Sequence, residues 1–300
     1  MDIGSQRKQE MIRDWWERNP MTYNRRGMSP YQEGTREWFE EIDRKLFSQA
    51  RKFFAHGYGE KPFARLIPYA NHNGKDVLEV GSGSGVHTRL LAEAGARLIA
   101  IDLTSKAVEL TRRRLDLYGL QADVRRMDAE QMKFEPGQFD FIWSWGVIQH
   151  SSEPNRIVAE LARVLRPGGE ARVMVYHRHS INVLLSLFRG CLTGSLWKEG
   201  ITRTLNQYSD GFIAHYFTIR EAKLLFEQYF HKVETRVFGQ KNELLPIPGF
   251  GALGKFKASV AQVIPDPVAS TVLYRLGGFL FLIARKEDAS PTRGSRLLRV

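Results

Sequence analysis

The sequence predicts an α/β fold built on a mostly parallel sheet, and two observations carry that expectation. From about residue 76, short β-rich apolar runs alternate with longer runs of helical periodicity, the pattern of strands joined by crossover helices. One apolar run, Asp76–Val80, opens directly into Gly81-Ser82-Gly83-Ser84-Gly85 and then a helix, the strand–turn–helix unit of such sheets.

The elements follow in order. Met11, Ile12, Trp15 and Trp16 are spaced to share one face of an amphipathic helix near the N-terminus, in a stretch with no apolar core or cleavage site of a secretory signal. Strands are expected at Asp76–Val80, Leu98–Asp102, Ala122–Arg126, Phe139–Ser144 and Ala171–Tyr176, with helices at Val86–Ala94, Ser105–Tyr118 and Pro154–Leu165 between them. The last helix runs into Arg166-Pro167-Gly168-Gly169, where proline and glycine stop it and turn the chain. Residues 180–216 are less regular and read as an insertion after the fifth strand. Thr218 then caps a helix, with Glu221 three residues on completing a capping box. A strand at Lys232–Phe238 precedes a proline-rich excursion at 241–268. The apolar run 267–284 carries Arg275 at its middle and Gly277-Gly278 beyond it. It therefore reads as a short helix and a buried strand, Phe279–Ala284, rather than a membrane span. The expected organisation is an N-terminal helical segment at 1–60, a main α/β domain at 61–286 with insertions at 180–216 and 241–268, and a basic tail at 287–300.

Composition narrows the function. Three hundred residues, 43% hydrophobic and 26% charged, describe an ordinary globular chain rather than a disordered one. A single cysteine, Cys191, excludes an intramolecular disulfide framework and a cysteine-based zinc cage, and suits a reducing, cytoplasmic setting. The net charge is +11, but residues 57–180 are nearly balanced while residues 181–300 carry 16 basic and 9 acidic side chains. The excess therefore lies outside the stretch that holds the glycine turn.

The glycine turn lets backbone approach a ligand without a Cβ in the way, and the helix behind it offers free N–H groups. Asp102 ends the second strand, 17 residues after Gly85, where a carboxylate accepts both hydroxyls of a ribose. The spacing is G-x-G-x-G, with Val86 where the dinucleotide fingerprint needs a third glycine, and Glu79 sits two residues before the turn. An acid there repels a pyrophosphate and favours a cationic group, so the ligand reads as adenosine-bearing and cationic.

In its successive motifs VLEVGSGSG, AIDLTSKAVELTRRRL, RRMDAEQMKF, FDFIWSWGVIQHSSEP and RVLRPGGEARVMVYHRHS, the chain resembles the class I S-adenosylmethionine-dependent methyltransferases. It is most similar to their bacterial small-molecule branch, which includes the ubiquinone/menaquinone methyltransferase-like proteins. The resemblance is strong over about 75–180 and loose elsewhere. It implies a Rossmann-like, seven-stranded, mostly parallel sheet with helices on both faces and the last strand antiparallel. An N-terminal helical lid and insertions after strands five and six complete that picture. It implies S-adenosyl-L-methionine as cofactor, S-adenosyl-L-homocysteine as product, and no metal. By resemblance, Gly81, Gly83 and Gly85 shape the cofactor turn beside Glu79, Asp102 holds the ribose and Leu103 flanks the adenine. Asp128 and the Ala129 N–H would meet the adenine amino edge, and Ser144 and Trp145 would pass the methionine moiety. Asp128 equally suits an N-cap, with Gln131 as its partner. His150, just past strand four, is the candidate base; its alternative is a hydrogen bond within the helix start Ser151-Ser152-Glu153. His177 and His179 are secondary candidates.

The acceptor is expected to be a small molecule. The segment after strand four reads SWGVIQH, without the proline-rich motif of amine-modifying nucleic-acid enzymes, and Cys191 lacks a preceding proline. The insertions at 180–216 and 241–268 carry Leu184, Leu185, Leu187, Phe188, Trp197, Tyr208, Phe212, Tyr216, Phe217 and Phe250, which suits an apolar or aromatic acceptor. The basic C-terminal part suits peripheral contact with a membrane. Two other readings remain at this point: a cofactor-binding scaffold without turnover, and an RNA or protein methyltransferase.

Overall fold

The computed structural model describes residues 3–21, 29–53, 61–209, 211–245 and 251–288. Its centre is an eight-stranded sheet in the order β3-β2-β1-β4-β5-β8-β7, with the two-residue β6 paired to β5. These strands are β1 (Asp76–Val80), β2 (Arg97–Asp102), β3 (Asp123–Arg126), β4 (Phe139–Trp145), β5 (Leu165–His177), β6 (Tyr216–Phe217), β7 (Lys232–Phe238) and β8 (Phe279–Arg285). The pairings among β1 to β6 are parallel, and β8 runs antiparallel to both β5 and β7. The expected count of seven strands is corrected to eight, because Tyr216 and Phe217 pair with Tyr176 and His177. Two residues carry no period-two signal, so nothing in the sequence marked them as a strand.

The helices are α1 (Ile3–Arg18), α2 (Arg36–Phe53), α3 (Val86–Glu93), α4 (Ser105–Tyr118), α5 (Pro154–Val164), α6 (Ile181–Thr193), α7 (Ser195–Tyr208), α8 (Ile219–Glu227), α9 (Gly251–Val263) and α10 (Asp266–Leu276). Thr218 and Glu221 form the expected capping box of α8. The Arg166–Gly169 segment does not separate helix from strand as expected. It lies within β5, with Gly168 at φ 72° and a register irregularity against Phe139 and Phe141. The irregular insertion at 180–216 is a helical pair, α6 and α7, and the proline-rich excursion is largely α9 and the start of α10.

Both faces of the sheet are covered, as a parallel sheet requires. On one face Leu78, Val80, Ile142, Val173 and Leu282 pack with Ile157, Val158 and Leu161 of α5 and Phe226 of α8. On the other, Val77, Leu98, Phe141, Trp143 and Phe281 pack with Leu90 and Leu91 of α3 and with Trp38, Phe39, Ile42 and Leu46 of α2. Helix α2 is thus part of the core, and Asp43 ties it down by accepting from Arg114 at 2.5 Å and Arg89 at 2.7 Å.

Candidate active site

At the carboxyl end of β1 the chain turns through Gly81, Gly83 and Gly85 with φ of 83°, 54° and 76°, left-handed values that a side chain resists. The Gly81 and Ser82 N–H groups donate to the Ile101 carbonyl at 2.8 and 3.1 Å, which fastens the turn to β2. One β2 residue on, the Asp102 carboxylate accepts from the Gly83 N–H at 3.0 Å and from the Thr104 N–H and hydroxyl at 3.0 and 2.8 Å. Burial pushes Asp102 upward, and these hydrogen bonds oppose that rise.

The turn and Asp102 open onto a cavity of about 1150 Å³ that continues past Trp145, His150 and Tyr176 to α6 and α9. That exceeds the roughly 300–1,000 Å³ of a typical small-molecule site. Of the expected site residues, Gly81, Gly83, Asp102, Leu103, Asp128, Ala129, Trp145 and His150 line it together. Gly85 stands just behind as the N-cap of α3, at φ 76°, with Thr111 and Arg114 in tight contact with the position a Cβ would take. Glu79 and Ser144 are buried behind the wall instead of lining it. Glu79 accepts from the Thr88 hydroxyl at 2.5 Å, and burial raises it to about 8, with the nearby Asp102 charge adding to the rise.

Asp128 is not a helix N-cap. Residues 128–131 form a turn, in which Asp128 accepts from the Glu130 N–H at 2.9 Å and from Gln9 Nε2 at 3.1 Å. Glu130 in turn gathers the Ser151 and Ser152 hydroxyls and the Glu153 N–H on one oxygen, at 2.7, 2.9 and 3.0 Å. This network fixes the segment that carries His150.

The donor chemistry fits an adenosine-bearing cofactor. A half-buried carboxylate stands at the end of β2, backbone lies bare at the glycine turn, and the buried Ser84 hydroxyl on the wall has no hydrogen-bond partner among the described residues.

Comparison with known proteins agrees. Residues 78–173 match the family model described as a methyltransferase domain. Curated relatives include a ubiquinone biosynthesis O-methyltransferase from Thiobacillus denitrificans, 33% identical over 38% of this chain and 50% of that protein. A second, from Ralstonia nicotianae, is 33% identical over 38% of this chain and 48% of its own length. The chain spans about half the length of these curated relatives. Residues 78–173 are therefore the part of the chain that is similar to a methyltransferase domain. In fold, the chain is similar to a SAM-dependent methyltransferase from Methanosarcina mazei, at a TM-score of 0.52 and 20% identity, covering 74% of this chain and 97% of that one. It is likewise similar to phosphoethanolamine N-methyltransferase 2 of Haemonchus contortus, at a TM-score of 0.56 and 15% identity, covering 92% of this chain and 60% of that one.

Within residues 78–173, His150 ends a short 3-10 turn, Ile148–His150, directly after β4. Its Nδ1 lies 2.6 Å from the Ile213 carbonyl, which can only accept, so Nδ1 carries the proton and Nε2 is the basic nitrogen. The ring meets Trp16 and Tyr176 edge-on at 5.1 and 5.4 Å. Its side-chain bond therefore reaches across to the 180–216 insertion, whereas the sequence alternative placed it within Ser151–Glu153. His177 is buried away from the cavity, where its Nδ1 donates to the Gly277 carbonyl at 3.0 Å, and His179 is exposed.

Beyond the residues expected at the cofactor, several others line the cavity. Helix α1 covers the cofactor end through Gln9, Ile12 and Trp16, and its Glu17 accepts from the Ser105 and Lys106 N–H groups at the start of α4. Helices α6 and α9 bring Arg189 and Lys257 to the far end, beside the buried Glu243, which burial raises to about 7. Of the aromatic and aliphatic residues expected around the acceptor, Leu185, Tyr208 and Tyr216 line the cavity. Leu184, Phe188, Trp197 and Phe212 are exposed, and Phe250 lies outside the described residues. Among the described residues no cluster of three or more His, Cys, Asp or Glu could hold a metal ion, and no helix is long and apolar enough to cross a membrane.

Proposed function

We propose that this chain transfers a methyl group from S-adenosyl-L-methionine to a small-molecule acceptor with an apolar or aromatic body. One observation carries the reading: a single cavity joins the glycine turn and Asp102 at one end to His150, Tyr176, Tyr216 and Leu185 at the other. The bound cofactor supplies a sulfonium-activated methyl group, so positioning accounts for much of the rate.

Asp102 would accept from the ribose hydroxyls, and the turn N–H groups with Ser84 would meet the methionine end. Asp128 and the Ala129 N–H would hold the adenine edge, with Leu103 against its face. Helix α1 acts as a lid: Gln9 and Trp16 close the cavity from water while Glu17 holds the helix to α4. His150 Nε2 would take the acceptor's proton as the methyl arrives, and its Nδ1–H bond to Ile213 keeps the ring in that orientation. The names of the curated relatives fit a hydroxyl acceptor, for which such a base is of use.

Calorimetry with S-adenosylmethionine, followed by an assay for S-adenosylhomocysteine against a panel of phenolic, quinol and lipid-like metabolites, tests the reading. Micromolar cofactor binding with turnover on an apolar acceptor is expected. Tight binding without turnover on any fraction would replace it with the scaffold reading.

A further inference from the structure

The cavity changes character along its length. Beside His150 its wall is aromatic, with Trp145 and Tyr176, whereas the far end is polar and basic. Helix α6 presents three faces there: Val183 and Gly190 are buried, Leu184 and Phe188 are exposed, and Asn182, Ser186 and Arg189, at helical spacing, line the cavity. Both α6 and α9 contact the 3-10 turn Lys241–Leu244, which brings Asn242 and Glu243 to the same wall, and α9 adds Lys257. The elements meet closely: Asn182 Nδ2 and both Glu243 carboxylate oxygens come within 3.4 Å of the point where a Cβ on Gly278 would stand. Arg189 and Glu243 both act electrostatically on Lys257.

Negative charge is short at this end. Glu243 is buried, and its two oxygens accept from the Gln240 and Gly278 N–H groups at 2.8 Å each. Burial pushes it up to about 7, so at neutral pH its carboxyl is only partly ionised. Asp266, at the start of α10, is engaged by Lys241. Lys257 is half-buried, and burial together with the Arg189 charge pulls it down. Two cations thus stand near one another with less than one full negative charge from Glu243, an arrangement that a counter-anion stabilises. The Asn242 Oδ1 is buried without a hydrogen-bond partner among the described residues, and an amide has a donor and an acceptor end to turn to a ligand. Arginine adds a planar fork that takes the oxygens of a carboxylate or phosphate in pairs.

We infer that the acceptor carries an anionic head group, a carboxylate or a phosphate, which Arg189 and Lys257 bind at the far end of the cavity with the Asn242 amide beside them. That the bearer of this group is the methyl acceptor rests on the proposed function; the anion site itself does not. The acceptor is then amphipathic, with its apolar or aromatic body against Trp145 and Tyr176. Arg189 and Lys257 decide which end of it enters towards the cofactor. Two of the basic side chains in the charge-rich part of the chain, residues 181–300, find their use here.

Calorimetry with three probes of one aromatic body tests this: 2-naphthoate, 2-naphthyl phosphate and the uncharged methyl 2-naphthoate. Each is titrated into the full chain alone and after saturation with S-adenosylhomocysteine, so that anion binding at the glycine turn is told apart. At least one of the anions should bind about tenfold or more tighter than the ester, as hydrogen bonds to a charged group allow, and the tighter one tells carboxylate from phosphate. Arg189→Gln, at an exposed position, and Lys257→Met should each weaken that anion by about tenfold. Both should leave the ester within about twofold of the parent and S-adenosylmethionine affinity unchanged, since the cofactor turn lies at the opposite end. An ester bound as tightly as both anions, no measurable binding of either anion, or variants that bind the anion like the parent overturns the inference. Such a failure with S-adenosylmethionine bound and an uncharged acceptor methylated leaves the proposed function standing. A chain that binds no S-adenosylmethionine yet keeps an Arg189-dependent preference for the anion loses the proposed function and keeps the anion site.

Discussion

The Asp102 carboxylate and the Gly83 backbone N–H are joined by a 3.0 Å hydrogen bond, so the group proposed to hold a ribose also sets the shape of the turn. Asp102→Ala should therefore weaken cofactor binding at least tenfold, since a charge-assisted hydrogen bond contributes about 1.5–3 kcal/mol. Asp102→Asn keeps an acceptor for Gly83 and should hold the turn while still binding more weakly than the parent. Calorimetry on the three proteins gives the order. An alanine variant that binds like the parent would remove Asp102 from the site.

Neighbouring glycines in that turn should fail differently. A Cβ on Gly81 would overlap the Val147 side chain, whereas the nearest atom to a Cβ on Gly83 is Met21, at 3.9 Å. Both positions have positive φ, which costs about 1–2 kcal/mol for any residue with a Cβ. Gly83→Val should thus fold, with a modest drop in Tm, and lose cofactor binding by filling the cavity. Gly81→Val should lower Tm much further or give insoluble protein. Equal melting temperatures for the two would contradict this account.

The contrast shows what the sequence made legible. Gly81, Gly83, Asp102 and Asp128 were readable because strand–turn–helix chemistry fixes them locally, within a few residues of a strand end. Gln9 and Glu17 were not, since their roles arise from α1 crossing more than eighty residues of sequence to meet Asp128 and the start of α4. The strand β6 and the three faces of α6 were hidden for the same reason: burial there is set by partners distant in the chain. Aromatic content near 180–216 suggested an acceptor wall, yet Leu184, Phe188, Trp197 and Phe212 are exposed, because composition does not say which helical face meets the cavity.

Asp43 bridges two guanidiniums, one of them on the fully buried Arg114, which lies beneath the glycine turn and over the Phe39 ring. Removing one partner of a buried ion pair strands a charge and costs about 3–5 kcal/mol. Asp43→Ala should lower unfolding stability by that order in denaturant titration. Cofactor affinity should fall with it, because Arg114 approaches the position of Gly85. A loss below about 1 kcal/mol would mean that solvent reaches the pair and screens it.

Burial lifts Glu79 to about 8 from an ordinary value of 4.5. Between those limits the folded chain keeps a proton that the unfolded chain has released, so stability falls as pH rises through this window and levels off above it. Glu79→Gln retains an acceptor for Thr88 and removes the titration. Between pH 5.5 and 7.5 the parent should lose more stability than the variant, by on the order of 1–3 kcal/mol. Parallel stability curves from denaturant unfolding across that range would show Glu79 ionised in the folded state throughout.

His150 separates positioning from proton transfer. Its Nδ1–H bond to Ile213 ties the 180–216 insertion to the segment after β4, so His150→Ala removes both a base and a tether. His150→Gln offers an amide N–H to the same carbonyl but no basic nitrogen. If Nε2 takes the acceptor's proton, both variants should bind S-adenosylmethionine within about twofold of the parent and lose roughly 10²–10⁴ in kcat. If the ring only holds the insertion, glutamine should restore most of the rate that alanine loses. Steady-state kinetics on the two variants, with cofactor affinity measured separately, distinguishes these outcomes, and recovery in the glutamine variant would assign His150 to positioning Ile213.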